Sequence, residues 1–470
     1  MLSQKYPQML RNQGLIFIFP LLVCLLACEE TPSTDSPQPP TPPQEYVVPE
    51  LIPDGSEKFM NLDSEVIFDQ EQLHTFELTL PVSSLAKINS DPSAEEYVEG
   101  SLTFDGETIS PVGIRYKGSV GAFVNCLSGT DWANPSGFKT CTKLSMKVKI
   151  NWEGADYKFY GLKKLQFHSQ NLDDSQMRER LAYSLFRDMG VPAPRSVHAR
   201  LIINGVYSGI YALTEQIDGR FTRFNYEEGK GNLYKEIWPL KESGNAYAEQ
   251  EYINHLKTNE DENPSSALMR SFAEEISAAT EDNRQAVIEK WMFVPEIIAY
   301  AVVDRTIAVD DGAFHWYCSS GACSNHNYYW YEEPEKRKLH LIPWDMDNTF
   351  ENIVFNQNPV TPIADDWGQT RANCQPFPFG SLNLRQKSAA CDKLTAAWAS
   401  FDTEYQELLS QFKAGPLSES VVNAKLDAWA AQIRAATEEA ANAHSDALSI
   451  SAWENAMENL KFGLSVARSR

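Results

Sequence analysis

The sequence predicts an α+β protein of two lobes, β-rich at the N-terminal end and mainly helical at the C-terminal end, with a cleft between them. Three observations lead there. Apolar residues alternate with period two through much of 57–150 and again over 198–215, as half-buried strands do. After about residue 240 the spacing turns helical. Within that helical half lies one hairpin, ending in Trp344-Asp345-Met346-Asp347, where two carboxylates emerge from the apolar run Leu339 to Pro343.

Taken in order, His74 to Leu80 alternates cleanly, Ser101 to Phe104 leads into an Asp105-Gly106 turn, and Val112 to Gly118 follows. Lys143 to Ile150 alternates again, with its lysines and Ser145 on one face. Asp173-Asp174-Ser175 predicts a helix cap, Met177, Leu181, Leu185 and Phe186 an apolar face, and Gly190 with Pro192 its end. Asn204-Gly205 between two strand-like runs predicts a hairpin. Helices are expected near 246–257, 265–281, 283–292 and 295–309, then a hairpin with strands over 327–331 and 338–342. From Lys393 onward the Ala-, Leu-, Glu- and Gln-rich chain reads as three or four helices without strands.

The first 28 residues read as a leader. Lys5 and Arg11 precede the apolar stretch Leu15 to Leu26, too short for a comfortable membrane span, and Leu25-Leu26-Ala27-Cys28 is similar to a bacterial lipobox in which Cys28 is lipidated. Residues 29–56 form a Pro/Ser/Thr-rich tether. The expectation is an exported lipoprotein held to the cell envelope, at the outer membrane or cell surface. The organisation is then a leader over 1–28, the tether, a main domain over 57–392 divided near 240, and a helical extension over 393–470.

After Cys28 there are six cysteines, in the local pairs Cys126/Cys141, Cys318/Cys323 and Cys374/Cys391. An even number in an exported chain favours disulfides, and neighbour pairing is preferred among the fifteen connectivities that six thiols allow. A zinc knuckle at Cys318/Cys323 fails on spacing. The formal net charge of −23 excludes nucleic acid, whose phosphates demand a basic surface.

Asp345 and Asp347, preceded by Asp310, Asp311 and Asn327, suit a hard divalent cation completed by phosphate oxygens. Ordinary surface charge is the competing reading, and it suits Asp304 and Asp310. A rival reading takes Asp345-x-Asp347-x-Thr349 as the nucleophile motif of haloacid-dehalogenase-like phosphatases, but the strand-poor chain downstream cannot build their doubly wound sheet. The N-terminal half supplies cations: Arg115 and Lys117 before Gly118-Ser119, and Lys143 on the next strand, while Lys147 and Lys149 read as a solvent face.

The ordered set Gly113 to Ser119, Lys143-x-Ser145, Gly161-Leu162, Leu165 to His168, Asp173 to Glu179, Phe186 to Pro192, Asn204-Gly205-x-Tyr207-x-Gly209-x-Tyr211, Glu215 to Asp218, Asn232 to Lys235, Asp311-Gly312, His326 to Tyr329 and Trp344 to Asp347 resembles the CotH family, the spore-coat-H-like atypical protein kinases. The resemblance covers roughly residues 70–355. It implies a kinase-like fold that moves the γ-phosphoryl group of ATP to Ser or Thr of a protein, with Mg²⁺ or Mn²⁺. By position it implies Asp311 as base, with Asp310 as the alternative, Asn327 and Asp345 as metal ligands, and Asp347 as a supporting or second-metal carboxylate. Arg115, Lys117 and Lys143 would face the phosphates, and Glu179 would pair with a strand lysine. Tyr211 to Glu215, with Ile210 or Leu213 as apolar contact, would be the hinge near adenine. Two departures stand out: Val309 occupies a position where family members often carry Asn, and fifteen residues separate Asp311 from Asn327. A disulfide between Cys318 and Cys323 would close that insertion. The competing expectation is a catalytically silent binding or scaffold module of the envelope.

Overall fold

The computed structural model describes residues 62–118, 121–131, 133–155, 158–261, 263–319, 321–354, 367–368, 374–379 and 384–470. The leader, Cys28, the tether and Ser119 lie outside the described residues.

The alternating N-terminal segments close into a barrel. Its strands are β1 (His74–Thr79), β2 (Val98–Phe104), β3 (Glu107–Tyr116), β4 (Met146–Lys149), β5 (Lys164–His168), β6 (Ser196–Ile203) and β7 (Val206–Thr214). The order is β1-β2-β3-β4-β5-β7-β6, and β6 returns to pair in parallel with β1. Closure leaves no sheet edge to cover; β1, β2 and β4 bury alternate residues, whereas β5, β6 and β7 carry consecutive buried residues and are covered on both faces. Ile114, Met146, Val148, Leu165 and Phe167 point inward, where Phe76 stacks on Phe104 at 4.8 Å and meets Phe167 edge-on at 5.3 Å. Helix α1 (Val82–Ser90) follows β1 and buries only Ile88, so its apolar stripe was too thin to predict from sequence. Asn204 and Gly205 form the expected hairpin turn, both at positive φ (49° and 77°).

Helix α2 (Arg178–Asp188) links β5 to β6 and is buried on every side over its first nine residues. The anticipated cap acts from further upstream: Asp173 accepts the Arg178 N–H at 2.8 Å and the Ser175 N–H at 3.0 Å.

Beyond the barrel come α3 (Gly219–Asn225), β8 (Leu233–Lys235), α4 (Glu249–Ile253), α5 (Ala267–Ala278), α6 (Arg284–Trp291) and α7 (Val294–Thr306). Next are β9 (Trp316–Ser319) and β10 (Ala322–Ser324), then the predicted hairpin as β11 (Tyr328–Glu333) and β12 (Lys338–Pro343). Strands β13 (Phe377–Phe379) and β14 (Leu384–Lys387) precede four helices: α8 (Lys393–Trp398), α9 (Asp402–Ala414), α10 (Glu419–Ala443) and α11 (Ile450–Ser469). Strands β12, β11 and β8 make one antiparallel sheet, and β10, β9, β14 and β13 another. After Asp345 the described residues hold only the two short strands of that second sheet, so no doubly wound parallel sheet follows the carboxylate pair.

The architecture is α+β. A second core gathers α2 and most of the later helices around an aromatic cluster, with Trp238 edge-on to Trp316, Tyr328, Trp330 and Trp398 at 5.3–5.7 Å. Helix α10 lies across β7: the Tyr207 hydroxyl donates to Ala436 O at 2.9 Å, and Arg180 of α2 donates to Gln432 at 2.8 Å. Helix α11 is tied to the same region by Trp453 Nε1, which donates to Ser175 O at 3.0 Å. Residues 419–469 are thus packed into the body of the fold.

The three local cysteine pairs are disulfides, Cys126–Cys141, Cys318–Cys323 and Cys374–Cys391. The second joins facing residues of β9 and β10 and closes the insertion between Asp311 and Asn327.

One buried pairing sets a pH dependence. His340 on β12 is 3 % exposed, with Nδ1 2.9 Å from Glu296 and Nε2 3.4 Å from Glu333. Burial opposes its charge, but the two carboxylates outweigh burial and raise it to about 9. A raised histidine contributes stability that is complete below its unfolded value near 6.5 and is lost as pH climbs through 9. Chemical denaturation of the wild type should show roughly 3 kcal/mol of this loss between pH 6 and 10. His340→Gln should lack that component, and an unchanged profile would refute the pairing.

Candidate active site

A cleft of about 390 Å³ opens between the barrel and the β8–β11–β12 sheet. Its C-terminal wall is built by the end of β12 and the loops around it. Asp345 leaves β12 in the left-handed region (φ 58°), its N–H donating to the Tyr183 hydroxyl at 3.0 Å. Trp344 N–H donates to Asn327 O at 3.1 Å, and Asn327 is left-handed too (φ 59°). Two non-glycine residues held in this sparsely populated conformation, side by side, are a pattern that concentrates at functional sites. Asn327 Nδ2 donates to Asp311 O at 2.8 Å and Oδ2 at 2.9 Å, so its carbonyl oxygen remains an acceptor. Asp347 lines the same cleft.

These carboxylates repel one another. Burial, then Asp345, pushes Asp311 up to about 7, and burial, then Asp345 and Glu179, drives Asp347 well above the carboxylate range. Such an arrangement attracts a cation. Among the described residues no three His, Cys, Asp or Glu side chains form a metal cage. The donor set of two carboxylates and one amide oxygen instead fits an ion whose remaining ligands are phosphate oxygens and water, as Mg²⁺ prefers. Asp310 faces elsewhere: it accepts from Asn352 Nδ2 at 2.7 Å and sits 3.5 Å from His315, and burial with Asp311 raises it to about 9.

The barrel wall is cationic. Arg115 on β3 pairs in register with Lys147 on β4, which pairs with Gln166 on β5, so all three share one face, and all line the cleft with Lys117. Arg115 is ion-paired with Glu95. Burial, reinforced by Lys117, Lys164 and Arg115 and only partly offset by Glu95, lowers the Lys147 ammonium to about 7. The sequence alone places Lys147 on a solvent face, whereas in the structure it lines the cleft beside Arg115, because partners in register share a face.

Not every expected residue is here. Lys143 precedes β4, outside the alternation, and lines a separate cavity of about 550 Å³ with its ammonium over the Tyr211 ring at 5.1 Å. The proposed adenine contacts are also elsewhere. Tyr211 and Leu213 point into the barrel interior, and Ile210 packs on the helical side of β7. Glu215 is 2 % exposed and bound by Arg195 and Arg220. Gln216 is the residue of this segment that reaches the cleft. Glu179 does line the cleft, but its partner is His168 at 2.7 Å rather than a lysine.

The fold is thus a barrel packed beside a helical body, with Asp311, Asp345 and Asp347 on one side of the cleft and Arg115, Lys117 and Lys147 on the other. The family model described as "CotH kinase protein" matches residues 114–462, and the chain belongs to that family. It is 24 % identical over 206 residues to the inner spore coat protein H of Bacillus subtilis (strain 168), covering 42 % of this chain and 53 % of that protein. It is 41 % identical over 63 residues to the inner spore coat protein H-like protein of the same organism, covering 13 % of this chain and 20 % of that one. The chain thus spans about half the length of the first relative and a fifth of the second. The description of the matched family is that of a kinase.

Proposed function

We propose that this protein is an exported, lipid-anchored kinase that transfers the γ-phosphoryl group of ATP to Ser or Thr of an envelope or surface protein. The observation that carries the reading is the juxtaposition, in one cleft, of Asp311, Asn327, Asp345 and Asp347 with Arg115, Lys117 and Lys147. Phosphoryl transfer is mostly positioning and charge neutralisation, and both walls supply it.

In this scheme Asn327, Asp345 and Asp347 would hold Mg²⁺ or Mn²⁺, which would neutralise charge on the phosphates. Arg115, Lys117 and Lys147 grip the phosphate oxygens from the barrel side. Asp311 orients the acceptor hydroxyl and takes its proton as the oxygen bonds to the γ-phosphorus and ADP leaves. Buried Asp310, held by Asn352, leaves the base role to Asp311.

The test incubates the full chain with γ-labelled ATP, Mn²⁺ and an envelope-protein extract. Label on protein Ser or Thr supports the kinase. No label, together with no rise in melting temperature at millimolar Mn-ATP, would favour a silent scaffold, since a ligand that binds only the folded state must stabilise it. The anchor is tested separately: Cys28→Ala should abolish incorporation of labelled fatty acid and release the protein from membranes.

A further inference from the structure

The cleft lysine is not held by a carboxylate. The Lys117 ammonium lies 2.6 Å from His168 Nε2 and 3.3 Å from Gln166 Oε1. Across the ring, His168 Nδ1 is 2.7 and 2.9 Å from the two oxygens of Glu179, and Glu179 also accepts from the Thr214 hydroxyl at 2.9 Å. An ammonium only donates and an ionised carboxylate only accepts. One state of the imidazole satisfies both neighbours: Nδ1 protonated and donating to Glu179, Nε2 bare and accepting from Lys117. The ring is 7 % exposed and is braced edge-on by Trp344, with centroids 5.9 Å apart. Of the three N–H bonds of Lys117, two are then directed at His168 and Gln166, and the third is left for the cleft.

We propose that His168 is a positioning residue for the nucleotide: Glu179 fixes Lys117 through the imidazole instead of gripping it directly. Helix α2 and strand β7 orient Glu179, Glu179 selects the ring tautomer, and the tautomer aims Lys117 at the phosphates. This rests on the nucleotide-binding reading of the cleft, but the imidazole state can be measured without nucleotide.

The experiment has two parts on the full chain. First, nitrogen NMR of ¹⁵N-histidine-labelled protein at neutral pH, with His168→Gln assigning the signal, should show a His168 ring protonated at Nδ1 and bare at Nε2. A ring protonated at Nε2 overturns the proposal, whatever the protein's activity. Second, Mn-ATP affinity is measured in a double-mutant cycle. His168→Asn should weaken binding about tenfold, the scale of one lost charge-assisted hydrogen bond. Lys117→Met should weaken it at least as much, and the double variant no further than Lys117→Met. Additive losses would mean that His168 does not act through Lys117, and would overturn the proposal. His168→Gln, whose amide oxygen can reach Lys117, should retain more affinity than His168→Asn. Failure of the wild type to bind Mn-ATP would overturn the reading of the cleft, while the ring tautomer still decides the linkage.

Discussion

Asp345→Asn is expected to lower phosphoryl transfer by about 10³-fold, because it removes a carboxylate from the ion that neutralises the reacting phosphates. The same substitution should not weaken the ligand-free protein. The Asp345 charge contributes to the upward shifts of Asp311 and Asp347, so removing it relieves repulsion in a buried cluster, and this outweighs the loss of a counter-charge to Lys117. The paired expectation is therefore a melting temperature equal to or above the wild type without ligand, and loss of the stabilisation by Mn-ATP. Asp311→Asn separates the roles. Its side chain accepts from Asn327 and lies outside the proposed ligand set, so Mn-ATP should still stabilise this variant. Transfer should fall by about 10²–10⁴-fold, the range of a lost general base. Equal transfer by the wild type and both variants would remove these residues from the chemistry, and a lower ligand-free melting temperature in Asp345→Asn would contradict the electrostatic argument.

What the sequence made legible follows the range of the forces involved. Alternation in β3 and β4, the hairpin at Asn204-Gly205, the stripe of α2 and the β11–β12 hairpin are local patterns, and they are present. So are the carboxylates at the end of β12, because an acidic residue leaving an apolar strand beside tryptophan has few bland explanations. Closure of the barrel was not legible. It depends on His74 to Leu78 pairing in parallel with Ala199 to Ile203, more than a hundred residues away, and parallel pairing leaves no turn signature. The lysines show the same limit. Lys143 and Lys147 lie on one face in sequence, but β4 begins at Met146, so only Lys147 shares a strand face with the cleft. His168 carried no signal of its own: a buried histidine at a strand end has many uses, and its side-chain partners Lys117, Glu179 and Trp344 lie just beyond β3, on α2 and just beyond β12.

Glu215 gives the sharpest contrast between a sequence role and a structural one. Were it a nucleotide contact, Glu215→Ala would weaken ATP binding and leave the ligand-free protein nearly as stable as before. The structure leads to the opposite expectation. Glu215 accepts from Arg195 Nη2 at 2.6 Å, Arg195 Nε at 3.0 Å and Arg220 Nη1 at 2.9 Å. Both guanidinium groups also reach the Ser64 hydroxyl and lie over the Phe224 ring. The three charged side chains are 2–12 % exposed. Burial alone would protonate Glu215, but the two arginines outweigh it and hold the carboxyl below its usual range. Its stabilisation is therefore present at neutral pH and fades as pH falls through the folded value. Replacing it by alanine leaves two positive charges buried without their counter-ion, a change that costs roughly 3–5 kcal/mol for a broken buried ion pair. Glu215→Ala should unfold at markedly lower denaturant, while its folded fraction binds Mn-ATP as tightly as the wild type. Glu215→Gln, which keeps the acceptor oxygen and the shape, should fall between them. A variant of normal stability with weakened nucleotide binding would return Glu215 to the nucleotide site. The same logic separates two kinds of acid in this fold: carboxylates that repel one another on one wall of the cleft can be removed at little cost to folding, whereas an acid that neutralises buried arginines cannot.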